Sequence, residues 1–183
     1  MRPTSLDEIR RAVHGRWLTA SPGHPVYVDG VTIDSRQAAP GELFVAIQGA
    51  THDGHAFLAD AAAAGCVSAI VRMDTTIPGT LGRRFGGPVI GVGDTTVALG
   101  ELARMHRTRL AGSVIAVTGS VGKTTVKRMI HHILATRLKG TAAPKSFNNA
   151  IGVPLTLLAA AAGDDYVVCE LGTNAPGEIA ALS

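Results

Sequence analysis

Residues 114–134 constrain this chain more than any other stretch. An apolar run, 114–118, passes directly into Gly119-Ser120-Val121-Gly122-Lys123-Thr124-Thr125, and then into a segment with Val126, Met129, Ile130, Ile133 and Leu134 at i, i+3, i+4, i+7 and i+8. That pattern predicts a buried strand, a tight loop and an amphipathic helix. A loop at that junction turns backbone N–H groups, together with the positive end of a helix, toward one point and can surround phosphate oxygens. Glycine lets the backbone approach closely, Lys123 adds a positive charge, and the Thr124 hydroxyl suits a Mg²⁺ ion bridging the outer phosphates. Gly119, Ser120, Gly122, Lys123, Thr124 and Thr125 are therefore the expected phosphate-binding set. The longer form of this loop has glycine where Val117 stands, so the match is to the shorter G-x-x-G-K-T form. A chance glycine-rich turn with a surface lysine is the bland alternative; the strand before, the helix after and the intact Gly-Lys-Thr-Thr weigh against it.

The rest of the chain repeats a strand, loop, helix rhythm. Ser5-Leu6-Asp7-Glu8 forms a capping-box pattern ahead of Leu6, Ile9 and Val13, and Gly15 closes that helix. Strands are expected at 26–34 and 43–47 around Pro40-Gly41, a helix at 56–64 ended by Gly65, and strands at 67–71 and 88–92 with a glycine- and arginine-rich loop at 80–87 between them. Asp94 can cap a helix that carries Leu99, Leu102 and Met105 and ends near Leu110. Past Ala111-Gly112 come the phosphate loop, a loop after Lys139-Gly140, a helix begun by Pro154, a strand at 166–171 and another helix from Pro176. The expected class is α/β: a small N-terminal α/β domain over 1–110, then over 111–183 the start of a P-loop domain built on a parallel sheet, incomplete at Ser183.

Composition narrows the function classes. With 46% hydrophobic, 17% charged and 4% aromatic residues, neither disorder nor an aromatic nucleic-acid platform is favoured. Net charge is only +3, and Arg104, His106, Arg107 and Arg109 read as a solvated helix face. Cys66 and Cys169, without metal-type spacing, read as reduced core thiols. No apolar run reaches membrane length, so no membrane insertion and a cytoplasmic location are expected. Glu170, at the carboxyl end of the 166–171 strand, stands where open α/β sheets bind ligands and can reach the same metal as Thr124. His52 and His55 flank Asp53-Gly54, whose glycine argues for an irregular loop and against a metal pair. Trp17, Tyr27, Phe44, Phe57 and Phe147 read as packing residues.

Three blocks in fixed order carry a resemblance: GSVGKTT at 119–125, SFNNAIGVPLTLL at 146–158 and ELGTNAPGEI at 170–179. Together they resemble the Mur ligases. Upstream, Asp34-Ser35-Arg36, Pro40 to Ala46, Gly49 and Asp53-Gly54-His55 are similar to that family's UDP-binding domain, so the resemblance spans nearly the whole chain. The second and third blocks look most like the branch that joins D-Ala-D-Ala to UDP-MurNAc-tripeptide through an acyl phosphate, with ATP and Mg²⁺.

The resemblance implies catalytic roles for Lys123, Thr124 and Glu170, with Mg²⁺ on Thr124 and Glu170. It implies UDP contacts from Ser35, Arg36, Gly49, His52 and His55, and places Asn148 and Asn149 nearer the muramoyl side. Asn148-Asn149 also reads as a turn whose amides bond their own backbone. The later parts of the family pattern lie beyond this sequence, so no ligase turnover of its own is expected; the expected state is a monomer. Other readings stay open: a Mur-type ligase for another acceptor, a non-catalytic UDP-sugar or nucleotide-binding module, and a P-loop GTPase or kinase.

Overall fold

The structure, a computed structural model, describes residues 2–49, 51–74, 85–173 and 177–182. Ala50, Thr80 to Arg84 of the expected loop, and Asn174 to Pro176 of the third block lie outside the described residues. The chain forms two compact units, residues 2–102 and 103–183. The division falls inside a helix, ahead of the Ala111-Gly112 boundary that the sequence suggests.

In the first unit, β1 (Thr4–Ser5) pairs antiparallel with β3 (Tyr27–Val28). Ser5 caps α1 (Leu6–Ala12) as expected, its Oγ accepting from the Glu8 N–H at 3.3 Å, and Leu6, Ile9 and Val13 are buried. The main sheet runs β2 (Arg16–Trp17), β7 (Val89–Val92), β6 (Ser68–Arg72), β5 (Glu42–Val45), β4 (Gly30–Thr32), parallel except for β2. A short 3₁₀ turn (Gly54–Phe57) leads into α2 (Leu58–Ala63), which stops at Gly65, φ +97°. Phe44, Ala46, Ala69, Val71 and Val89 pack with Leu58, Ala61 and Cys66 in one cluster. The alternate residues Leu43, Val45, Ile70 and Ile90 are equally buried, so the sheet is covered on both faces, which is why its strands read as continuous apolar runs. Asp94 caps α3 (Thr95–Arg107), accepting from the N–H groups of Thr96 and Val97 at 2.7 and 3.1 Å.

The second unit is a parallel sheet ordered β8 (Ser113–Val117), β10 (Tyr166–Glu170), β9 (Gly140–Ala142), with α4 (Lys123–Leu134), α5 (Gly152–Ala159) and α6 (Glu178–Leu182). Strand β9 replaces the loop expected there; Gly-Thr-Ala has little strand preference, and pairing with β10 imposes it. Helix α5 starts two residues before Pro154, because the Asn149 side chain accepts from the N–H groups of Ile151 and Gly152 at 3.1 and 2.8 Å.

Side chains of β10 alternate between faces. Val167 and Cys169 pack with Leu110, Leu157 and Ala160, whereas Tyr166 and Val168 pack with Ile130 and Leu134 of α4. Period two therefore sends Glu170 to the α4 face. Two sequence expectations change here. Helix α4 turns Lys127, Ile130 and Leu134 toward the sheet and leaves Val126, Met129 and Ile133 exposed at 46, 59 and 65%. His106, expected on a solvated face, is buried, and its Nε2 donates to the Ala160 carbonyl at 3.0 Å. Both cysteines are buried free thiols, and burial pushes each up to about 11.

Candidate active site

The loop over residues 118–122 closes the carboxyl end of β8. Gly119 and Gly122 hold φ of +138° and +82°, values that a side chain strongly disfavours, so both glycines are required by the turn itself. Gly122 directly precedes α4, leaving the first N–H groups of that helix at the loop mouth. The Lys123 ammonium folds back over the loop, donating to the Gly119 carbonyl at 2.6 Å and reaching the Thr173 hydroxyl at 3.5 Å; that hydroxyl donates to the same carbonyl at 3.2 Å. Gly122, Lys123, Thr124, Thr125, Asn148 and Glu170 line an open cleft of about 320 Å³. Ser120 is exposed on the loop.

Glu170 is the hub. Its carboxylate, 2% exposed, receives the Thr124 hydroxyl at 2.9 Å and the Lys127 ammonium at 3.1 Å on Oε2, and the Asn148 amide at 3.1 Å on Oε1. Burial pushes this carboxyl up, but the three donors outweigh burial and hold it below its ordinary value, so it is an anion at neutral pH. Lys127, also 2% exposed, makes a second hydrogen bond to the Lys145 carbonyl. The backbone is anchored too: Gly172 N–H donates to the Asn148 carbonyl at 2.7 Å. The adjacent asparagines thus divide their work, Asn148 on Glu170 and Asn149 on the start of α5.

A carboxylate and a hydroxyl touching at one point are hard oxygen donors. No group of three or more His, Cys, Asp or Glu able to hold a metal occurs among the described residues. The Thr124 hydroxyl and Glu170 carboxylate fit Mg²⁺, which would take one or two protein oxygen ligands and leave its other positions to phosphate and water.

In the first unit, Ser35, Arg36, Gly49 and His52 all follow the carboxyl ends of the neighbouring parallel strands β4 and β5. Arg36 is exposed, its guanidinium paired with Asp34 at 2.9 and 2.7 Å; that pairing holds the Asp34 carboxyl down at about 2. Gly49 and His52 form the exposed tip of a tight hairpin, Gly49 N–H donating to the His52 carbonyl at 2.8 Å. His55 is placed differently. It is buried, its Nε2 accepts the Arg72 N–H at 3.0 Å, and its Nδ1 therefore carries the proton facing Asp53 at 2.5 Å. Both ring nitrogens are thus committed to holding the hairpin against β6. Gly54 beneath it has no room for a Cβ, which would lie 2.8 Å from the Ile47 nitrogen.

Two family models match this chain: "Mur ligase family, catalytic domain" over residues 27–107 and "Mur ligase middle domain" over 117–183. The chain belongs to the Mur ligase family. Among curated Mur ligases it is 40% identical over 156 residues to UDP-N-acetylmuramoyl-tripeptide--D-alanyl-D-alanine ligase of Bacillus subtilis (strain 168), covering 85% of this chain and 33% of that protein. Its fold matches the crystal structure of MurF from Acinetobacter baumannii with a TM-score of 0.81 and 33% identity, over 100% of this chain and 38% of that one. It also matches MurF ligase from Thermotoga maritima in complex with ADP, with a TM-score of 0.69 and 29% identity, over 84% and 34% of the two chains. This Mur ligase chain spans about a third of the length of the curated relatives it matches.

Lys127, Thr173 and Arg72 join these clusters, though no motif assigns them a role. Lys127 lies four residues after Lys123, on the same helix face, and that spacing was the available signal. Arg72 ends β6 and ties Gln48 (2.6 Å) to Asp74 (2.9 Å through Nε).

Proposed function

We propose that this chain is the UDP-binding and nucleotide-phosphate-binding portion of an ATP-dependent ligase that joins D-Ala-D-Ala to UDP-MurNAc-tripeptide in peptidoglycan-precursor synthesis. The observation that carries the reading is the convergence of Lys123, Thr124 and Glu170 on one cleft at the carboxyl ends of β8 and β10. A free carboxylate resists amines, so amide formation needs it activated as an acyl phosphate, and phosphoryl transfer is catalysed mainly by positioning and charge neutralisation. Loop N–H groups and the Lys123 ammonium neutralise the transferring phosphates; Thr124 and Glu170 hold Mg²⁺, which when bound supplies further charge stabilisation. Asn148 keeps Glu170 aimed at that position. In the first unit, Ser35, Arg36, Gly49 and His52 take the UDP moiety, and His55 holds the hairpin of Gly49 and His52 in shape. ATP is the nucleotide, the cytoplasm the compartment where these precursors are made, and a monomer the working form.

Calorimetry of ADP with Mg²⁺ tests the first step. Lys123→Ala is expected to weaken binding by roughly 10- to 100-fold, the value of a charge-assisted contact of about 1.5–3 kcal/mol. Equal affinity in Lys123→Ala and wild type would remove the reading. With the full-length ligase, phosphate release must require both UDP-MurNAc-tripeptide and D-Ala-D-Ala; release dependent on a different acceptor would reassign the substrate.

A further inference from the structure

Lys127 has no place in the phosphate-binding pattern, yet it is a fully buried ammonium bonded to the Glu170 carboxylate that lines the cleft. It joins three separate segments: α4 that bears it, the end of β10 through Glu170, and the 143–149 loop through the Lys145 carbonyl. Lys145 adopts φ +47°, a left-handed conformation uncommon for a residue with a side chain, and in it presents that carbonyl to Lys127. Lys127 also shares Oε2 of Glu170 with the Thr124 hydroxyl, so the oxygen nearest the metal-binding hydroxyl already faces a cation.

The charges set a direction. Glu170 and the Glu178 carboxylate, which lies against Gly172, contribute two negative charges and Lys123 and Lys127 two positive ones, so these four side chains balance and offer a free dication no net attraction, whereas without Lys127 they would sum to −1. A nucleoside diphosphate or triphosphate tips that balance to negative. We propose that Lys127 is a positioning residue that prevents Glu170 from taking up a lone divalent cation, so that Mg²⁺ enters this cleft only together with nucleotide phosphates. The inference rests on reading the cleft as a metal-nucleotide site. It makes metal and nucleotide binding strongly interdependent, and it assigns the coupling to one ammonium group.

Mn²⁺ is the probe, its free concentration followed by electron paramagnetic resonance with and without ADP. Lys127→Met is expected to bind Mn²⁺ alone about tenfold or more tighter than wild type, because the competing charge is gone; Lys127→Arg, which keeps the charge, is expected to remain as weak as wild type. A merely structural lysine predicts the opposite sign, weaker binding in Lys127→Met. Unchanged or weakened Mn²⁺ binding in a folded Lys127→Met protein therefore overturns the proposal. Should Lys127→Met fail to fold, wild type and Glu170→Gln decide the matter. They are expected to bind Mn²⁺ alone equally weakly and to differ only when ADP is present. Tight Mn²⁺ binding by wild type alone, lost in Glu170→Gln, overturns it. If wild type bound no Mn²⁺·ADP at all, the nucleotide-site reading would fall, and the proposal with it; normal Mn²⁺·ADP binding with no gain in Lys127→Met rejects the proposal alone.

Discussion

The Glu170–Lys127 pair makes a sharp stability prediction. Both side chains are 2% exposed, so replacing Glu170 with alanine leaves an ammonium group buried with only the Lys145 carbonyl as partner. Breaking a buried pair from one side costs about 3–5 kcal/mol. Thr124 and Asn148 also lose an acceptor, but both are only half-buried and water can replace it, so their share is small. The expected cost of Glu170→Ala is therefore about 4 kcal/mol, a large part of the roughly 5–15 kcal/mol that holds a domain together. Glu170→Gln retains a carbonyl acceptor and is expected to cost about half as much. The double variant Lys127→Met with Glu170→Leu removes both charges and is expected to recover most of the loss, or to exceed wild type by about 1 kcal/mol or more. Urea unfolding followed by far-ultraviolet circular dichroism measures all four proteins. A cost below about 1 kcal/mol for Glu170→Ala, or a double variant no more stable than Glu170→Ala, would refute the reasoning. If the double variant is the more stable protein, this pair serves the site at the expense of the fold.

Two further outcomes depend on pH. Burial lowers the His106 side chain below 6.5, against the Ala160 carbonyl that favours its charged form, so the folded protein needs the ring neutral. Its contribution is complete above 6.5 and is lost as pH falls from there toward the folded value, with a slope of up to about 1.4 kcal/mol per pH unit. His106→Gln is expected to flatten the dependence of the urea midpoint on pH between 7.5 and 5; an identical slope in both proteins would sink this account. Asp34 titrates at about 2 in the folded chain because Arg36 bonds to it, so that stabilisation is present above its ordinary 3.8 and disappears as pH falls through about 2. Carbon-13 NMR of the Asp34 carboxyl in Arg36→Gln should show the midpoint rising toward 3.8; an unmoved midpoint would assign the depression elsewhere.

The parts of this fold that were legible in the sequence are those whose signals are local. The strand–loop–helix turn at 114–134 announces itself because its glycines, lysine and threonine are contiguous, and Ser5 and Asp94 because a cap acts on the next three residues. Glu170 was legible from its place at a strand end. Strand β9 was not, since its three residues gain their conformation from a partner more than twenty positions away. Nor was the orientation of α4: five apolar residues at helical spacing suggest one inward stripe, but the helix turns by enough to bury Lys127 and leave Met129 and Ile133 in solvent. Hydrophobic periodicity finds the helix but does not say which of its apolar residues face this sheet. His55 shows the same limit in the first unit. The family resemblance implies a ligand contact for it, whereas burial between Asp53 and the Arg72 N–H commits both nitrogens to architecture.

The register of β10 on β8 puts Glu170 opposite Val117, across a stretch of chain that includes α4, β9 and α5. Parallel neighbours cannot be joined by a hairpin, so every intervening helix and strand must be threaded before those two residues meet. Nucleotide affinity should therefore arrive last during refolding, and a fluorescent ADP analogue added to a refolding mixture would act as a stopwatch for completion of the whole second sheet rather than for formation of the loop that touches it.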